Sequence, residues 1–164
     1  MTPVTGETRP VVERLWQLYR HDLSEFRGLL PDGEGLFSEQ RLSPYLTEED
    51  KRAYLLCVAS SPVGFALVSR VQDGTIVLGE FFVVRAARRQ RLGHDAAVRL
   101  LALYPGRWEI AFQEENPAAA QFWRRVAAAA VGDAWREDRR SVPGKPEVPP
   151  DVWITLDSLG TATR

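Results

Sequence analysis

The sequence is poor in the residues that disulfide, metal and many nucleotide chemistries need. One cysteine, Cys57, stands alone in 164 residues, so no intrachain disulfide forms and a reducing compartment is the natural setting. Cys57 lies in an apolar run, where a small buried thiol is far commoner than a nucleophile. Two histidines, His21 and His94, do not make a zinc site without carboxylates that the spacing does not supply, and no metal is expected. No stretch approaches the roughly 20 apolar residues of a membrane span. The start MTPVTGETRP has no basic segment leading into an apolar one, so the expected location is cytoplasmic, with no membrane partner. A formal net charge of -1 lacks the basic excess of a polyanion binder, so nucleic acid is not an expected partner and any anion site must be local. Neither G-x-x-x-x-G-K-[ST] nor G-x-G-x-x-G after a strand occurs, which argues against nucleoside triphosphates and nicotinamides.

What is present is the composition of an ordinary globular chain, of a length that suits one domain over residues 1–164. From Pro10 to Phe26 the residues Val12, Leu15, Tyr19, Leu23 and Phe26 recur at helical spacing, with Pro10 suited to the first turn. Residues 27–39 mix Gly28, Pro31, Gly33 and Gly35 with acidic side chains and read as a mobile connection, followed by a short helix around 38–46. Three β-type runs follow, at 53–59, 63–71 and 75–84. They are joined by Ser60-Ser61-Pro62 and by Gln72-Asp73-Gly74, the latter a hairpin signal, which predicts an antiparallel meander. The third run is apolar at nearly every position and reads as a central strand covered on both faces.

Helical spacing returns from Leu92 to Tyr104 and stops at Pro105-Gly106. Trp108, Ile110 and Phe112 alternate as a strand, and Asn116-Pro117 caps a helix through about Ala129 whose packed face takes Ala119, Phe122, Trp123 and Val126. A strand within 133–139, a proline-rich loop at 142–150, a last strand at 152–156 and a loose tail from Gly160 complete the chain. The order of elements predicts a mixed α/β sheet. The terminal strands, with Trp135 and Trp153, suit pairing across a homodimer or closure within one chain.

The chemistry concentrates where the strand Gly79-Glu80-Phe81-Phe82-Val83-Val84 runs into Arg85-Ala86-Ala87-Arg88-Arg89-Gln90-Arg91-Leu92-Gly93-His94 and then a helix. A short loop at a helix start exposes unpaired backbone N–H groups at the positive end of the helix dipole, which favours an anion. Arg85, Arg88, Arg89 and Arg91 add charge suited to phosphate. A basic run of this kind is also compatible with a solvated surface or, against the charge balance, a nucleic-acid contact.

The segment from Arg88 to Gly93 resembles the Q/R-x-x-G-x-G/A signature of the GNAT superfamily of acyl-CoA-dependent N-acetyltransferases. It matches at the first and last defined positions, with Arg91 in place of the first glycine. The run Asn116-Pro117-Ala118-Ala119-Ala120-Gln121-Phe122-Trp123 resembles the family's N-x-x-A-x-x-F-Y segment, and the element order matches along nearly the whole chain. The resemblance implies a GNAT-like fold, a mostly antiparallel mixed sheet with helices on both faces. It also implies acetyl transfer from acetyl-CoA, as cosubstrate, to a primary amine of a small molecule or peptide in one ternary complex.

On that model Phe82, Val83 and Val84 lie along the pantetheine arm, and Arg88, Arg89, Gln90, Arg91, Leu92, Gly93 and His94 surround the pyrophosphate. Arg91 contributes its N–H and reaches a phosphate, or crowds the loop. Asn116 corresponds to the family asparagine near the thiol end, or is a helix cap alone. Trp123 replaces the tyrosine that often protonates the leaving thiolate, and indole has no acidic proton of useful pKa. The proton then comes from another group such as Tyr104 or Tyr45, or from water. Glu80, the lone carboxylate of its apolar run, shares a strand face with Leu78 and Phe82. It is the expected general base, the alternative being a buried ion pair with an arginine. A rival function is an acyl-CoA-binding module without turnover, for which Arg91 and Trp123 are the motive. The loop at 27–45, with Asp32, Glu34 and Glu39, is expected to border the acceptor site and to suit a cationic amine.

Overall fold

The computed structural model describes residues 1–71 and 73–159. Gln72 of the expected hairpin turn and the tail from Gly160 lie outside the described residues. The chain forms two compact units, Met1–Ser69 with Gly79–Gly93, and Arg70–Leu78 with the chain from His94 onward.

In the first unit, β1 (Thr2–Pro3) is followed by α1 (Arg9–Arg27), α2 (Ser43–Thr47), β2 (Lys51–Val58), β3 (Ser61–Arg70, all but its last residue) and the second half of β4 (Ile76–Val83). α1 forms where the sequence predicts it, with Pro10 in the first turn, because Val12, Leu15 and Trp16 bury one face. It ends at Gly28, whose φ of 58° is left-handed and whose N–H bonds Ser24 O at 2.9 Å. The connection that follows carries hydrogen bonds within itself and to α1. Asp32 Oδ1 accepts from Glu34 N at 3.0 Å and Leu36 N at 2.9 Å, while Gln17 of α1 bonds both backbone groups of Phe37. Trp16 Nε1 donates to Ser38 O at 2.9 Å. Long-range side-chain bonds of this kind leave no local pattern, so composition alone does not reveal them.

β2 and β3 pair antiparallel, joined by a turn at Ala59 and Ser60, with Ala59 at a φ of 52°. Pro62, expected in the join, instead sits in β3 opposite Cys57, just where a bulge between Leu56 and Cys57 shifts the register. β1, two residues long and pairing with β2, has no sequence signal. The hydrogen-bonding order runs β1-β2-β3-β4. The core of this unit is Val12, Leu15, Trp16, Leu42, Ala53, Leu55, Phe65, Leu67 and Phe82.

In the second unit, the first half of β4 pairs parallel with β5 (Gly106–Phe112). β5 pairs antiparallel with β7 (Asp151–Ser158), which pairs antiparallel with β6 (Trp135–Arg140). The expected third run is thus the central strand of a seven-stranded, mostly antiparallel order, β1-β2-β3-β4-β5-β7-β6. The parallel pairing sets Ile76, Val77 and Leu78 against Trp108, Glu109 and Ile110. The terminal strands close within the chain. α3 (Leu92–Leu103) precedes β5, and α4 (Pro117–Val131) follows it. Asn116 Oδ1 accepts from Ala119 N at 3.1 Å, the cap predicted from Asn-Pro. The buried face of α4 is Ala120, Trp123, Val126 and Ala127, one residue round from the expected Ala119 and Phe122, which are half-buried.

Candidate active site

Glu80 sits in β4 on the same face as Leu78 and Phe82 and is 8% exposed. Period-two alternation turns it inward beneath an aromatic cluster of the first unit. Tyr19 stacks at 5.3 Å from Trp16, 5.6 Å from Phe65 and 5.8 Å from Phe82, which fixes the phenol. Its hydroxyl donates to Glu80 Oε2. Arg41, from the segment ahead of α2, donates through Nη2 to Glu80 Oε1 at 2.8 Å.

The two partners differ in kind. Tyr19 is a packed aromatic, whereas the Arg41 side chain is 69% exposed. Burial raises the Glu80 carboxyl above its ordinary range, and the charge of Arg41, the Tyr19 hydrogen bond and the charge of Arg20 offset this only in part. Burial, then the charge and hydrogen bond of Glu80, push the Tyr19 phenol well up, so it stays protonated.

The residue before Glu80 is glycine for a steric reason. A Cβ on Gly79 would lie 2.0 Å from the Tyr45 hydroxyl, so the missing side chain lets this phenol rest on the strand beside Glu80. Burial raises the Tyr45 pKa, a hydrogen bond with Ser69 lowers it, and the charge of Glu80 raises it further, for a net rise. Gly64 of β3 plays a similar part, since a Cβ there would meet the Phe82 carbonyl oxygen at 2.1 Å.

Beyond β4, Arg85–Ala87 make one 3-10 turn that the sequence does not announce, and the loop then runs into the first turn of α3. Two of its four arginines are held internally. Arg88 donates through Nε to Val83 O at 2.7 Å and through Nη2 to Asp22 of α1, with its guanidinium 5.7 Å from the Phe82 ring. Arg85 pairs with Asp22 at 2.9 Å. Partial burial would raise the Asp22 carboxyl, but the hydrogen bonds and charges of Arg88 and Arg85 outweigh that and hold it below its ordinary range. Arg89 and Arg91 are exposed, and each adopts a left-handed backbone, with φ of 64° and 62°.

Arg91 therefore keeps the conformation a glycine would supply at that point of the signature. Left-handed backbone costs a residue with a Cβ about 1–2 kcal/mol. Gln90 Nε2 donates to Ala86 O at 3.2 Å, and Leu92 and Gly93, both half-buried, open the helix.

Backbone directions along the strand end separate the three expected arm residues. Val84 N donates to Val63 O of β3 at 2.8 Å, and the Phe82 carbonyl lies against Gly64 of β3. Successive residues of a strand aim their backbone groups at opposite edges, so Val83 alone of the three turns away from β3. The Phe82 side chain is committed to the aromatic core.

The remaining expected residues belong to the second unit. His94 Nδ1 lies 3.2 Å from Asp95 Oδ1, Asn116 caps α4, and Trp123 is 7% exposed, its ring 4.7 Å from Phe122. Tyr104 packs on Trp108 at 6.3 Å, and its carbonyl accepts from Trp108 Nε1 at 2.8 Å. Tyr19 and Arg41 were not singled out from sequence as partners of Glu80. Tyr19 reads there as one more apolar position of an amphipathic helix, and only its hydroxyl distinguishes it.

A search of curated proteins finds no match. Among solved structures, an acetyltransferase from Thermus thermophilus superposes with a TM-score of 0.65 at 20% identity, over 95% of this chain and 94% of its own. A ribosomal-protein alanine N-acetyltransferase from Escherichia coli gives 0.66 at 15% identity, over 99% and 95%. An aminoglycoside acetyltransferase solved with coenzyme A and kanamycin gives 0.67 at 13% identity, over 94% and 92%. At these identities the superpositions establish a shared fold. The profile of the Acetyltransferase (GNAT) family matches residues 12–128, which takes in β4, the arginine loop and most of α4, and the chain belongs to that family.

Proposed function

We propose that the chain is an N-acetyltransferase that moves an acetyl group from acetyl-CoA to a primary amine, working as a single catalytic domain with Glu80 as general base. The observation that carries this reading is the buried Glu80 carboxylate, pushed up by burial and bonded by Tyr19 and Arg41. The family match running across both units supports the single domain. Neighbours of the same fold solved with coenzyme A or acetyl-CoA support the cosubstrate.

Acetyl-CoA supplies an activated acyl thioester. The loop at Arg88–Gly93 suits its pyrophosphate, since left-handed residues at 89 and 91 turn the backbone sharply at a helix start, where N–H groups favour an anion. Arg89 and Arg91 add exposed positive charge beside those amides. Arg88 acts from behind, fastening the loop to the end of β4 and to α1. Val83, whose carbonyl is taken by Arg88, offers its N–H to a pantetheine carbonyl.

Glu80 removes a proton from the incoming ammonium, so that the neutral nitrogen attacks the thioester carbonyl. A C–N bond forms and the C–S bond breaks. Of the two protons the nitrogen gives up, one passes through Glu80 to solvent and the other ends on the sulfur. Tyr45, protonated and next to the strand position before Glu80, is the side chain we assign to deliver a proton to sulfur. Tyr19 holds Glu80 in orientation and remains protonated throughout.

Calorimetric titration with acetyl-CoA tests the cosubstrate, and Arg89→Ala with Arg91→Ala should weaken binding about ten-fold or more. Absence of binding at millimolar cosubstrate removes the reading. Binding without thiol release on any primary amine leaves an acyl-CoA-binding module instead.

A further inference from the structure

Glu80 has two oxygens with opposite fates. Oε2 is closed from inside by Tyr19, on a helix whose neighbouring face is core. Oε1 faces the exposed side chain of Arg41, which comes from the connection between α1 and α2. A buried carboxylate needs a partner, because an unpaired buried charge is strongly destabilising. Any cation that takes Oε1 must therefore replace another, or the site passes through a costly vacant state. Arg41 suits such an exchange, since most of its side chain is already in water and leaving costs it little solvation.

We infer that Oε1 of Glu80 is the ammonium-binding point of the acceptor site, and that the Arg41 guanidinium fills it between turnovers as a built-in competitor of the amine. This rests on the transferase reading above and adds a specificity-determining residue to it. The exchange is cation for cation, so the charge of the pocket is unchanged as the acceptor binds. The acceptor is then an unhindered alkylammonium with no anionic group near its nitrogen. A carboxylate there would pair with the released Arg41 and be drawn outward with it.

The groups facing Glu80 are Tyr19 and Arg20 from α1, Arg41 from the connection and Tyr45 from α2. Of these, only Arg41 is both charged and hydrogen-bonded to the carboxylate. Removing it raises the pH at which Glu80 ionises, and the acid limb of kcat/KM moves up with it.

Arg41→Ala separates the possibilities, and Arg41→Gln, which keeps a hydrogen-bond donor for the carboxylate without the charge, gives the same reading should the unpaired Glu80 weaken the fold. The expected result is a KM for methylammonium about five-fold lower than wild type, with kcat within about two-fold. Methylguanidinium should inhibit the variant competitively against the amine while barely affecting the wild type. Independently of turnover, the ¹³C carboxyl resonance of Glu80 should respond to methylguanidinium or methylammonium in Arg41→Ala and not in wild type. An unchanged KM, or a Glu80 resonance insensitive to both cations in the variant, overturns the inference, as does a preference for glycine over methylamine as acceptor. If the resonance responds but no amine releases thiol from acetyl-CoA in either protein, the cation site stands and the transferase reading fails.

Discussion

Glu80 in the first unit and Glu137 in the second both face an arginine, and they end in opposite states. Glu137 lies on β6 and receives two bonds of 2.8 Å from Arg124, which also bonds Glu114. That hydrogen bonding outweighs partial burial and holds the Glu137 carboxyl below its ordinary range. Arg140 closes a second network on Glu109 and Asp138. Both arginines are matched by carboxylates on and beside β6. At Glu80 burial wins over Arg41, and the carboxyl is raised instead. That balance of burial against hydrogen bonding, and not pairing alone, sets the direction in which each carboxyl moves.

Changes on the two sides of this comparison should differ by orders of magnitude. Glu80→Gln keeps the Tyr19 hydrogen bond but cannot take a proton, and should cut kcat/KM for amine acetylation by about 10²–10⁴ while acetyl-CoA affinity measured by calorimetry holds. Gly79→Ala puts a methyl against the Tyr45 hydroxyl and should cost roughly 1–3 kcal/mol in denaturant unfolding, with a fall in kcat as Tyr45 shifts. Arg91→Gly relieves a left-handed side-chain residue and should gain up to about 1 kcal/mol in the same assay, while losing cosubstrate affinity. Arg124→Met breaks the matched network and should move stability by less than about 1 kcal/mol with activity unchanged.

Stability against pH sharpens the contrast further. The folded state raises the Glu80 pKa, so the stability it contributes is fully present below its ordinary value of 4.5 and is lost as pH rises through the raised value. Asp22 and Glu137 are depressed, so theirs is present above their ordinary values and is lost as pH falls through the depressed ones. Thermal midpoints followed across pH should therefore show a decline on the rising side that Glu80→Gln flattens, and one on the acid side that Asp22→Asn and Glu137→Gln flatten.

Elements built on periodicity were legible in the sequence. α1, β2 through β5, α3 and α4 appear within a few residues of where spacing, caps and turns predict them, because each buries one face of a regular pattern. β1 is too short to carry a pattern, and the 3-10 turn at Arg85–Ala87 has none. Glu80 stood out as a lone charge in an apolar run. Its partners did not, since Tyr19 lies 61 residues away and Arg41 lies in a connection that composition marks as loose. The arginine loop was legible as positive charge, but not the counter-charge of Asp22, which engages Arg85 and Arg88. The left-handed Arg91 shows that a missing signature glycine need not mean a missing loop geometry.

The central claim is that Glu80 is a buried base whose ionisation controls acetyl transfer. Its most direct test is a ¹³C carboxyl titration of Glu80, assigned by its loss in Glu80→Gln, set beside the pH dependence of kcat/KM for an amine. The account predicts a midpoint above 4.5 that coincides with the acid limb of the rate profile. A midpoint at or below 4.5, or undiminished transfer by Glu80→Gln, contradicts it.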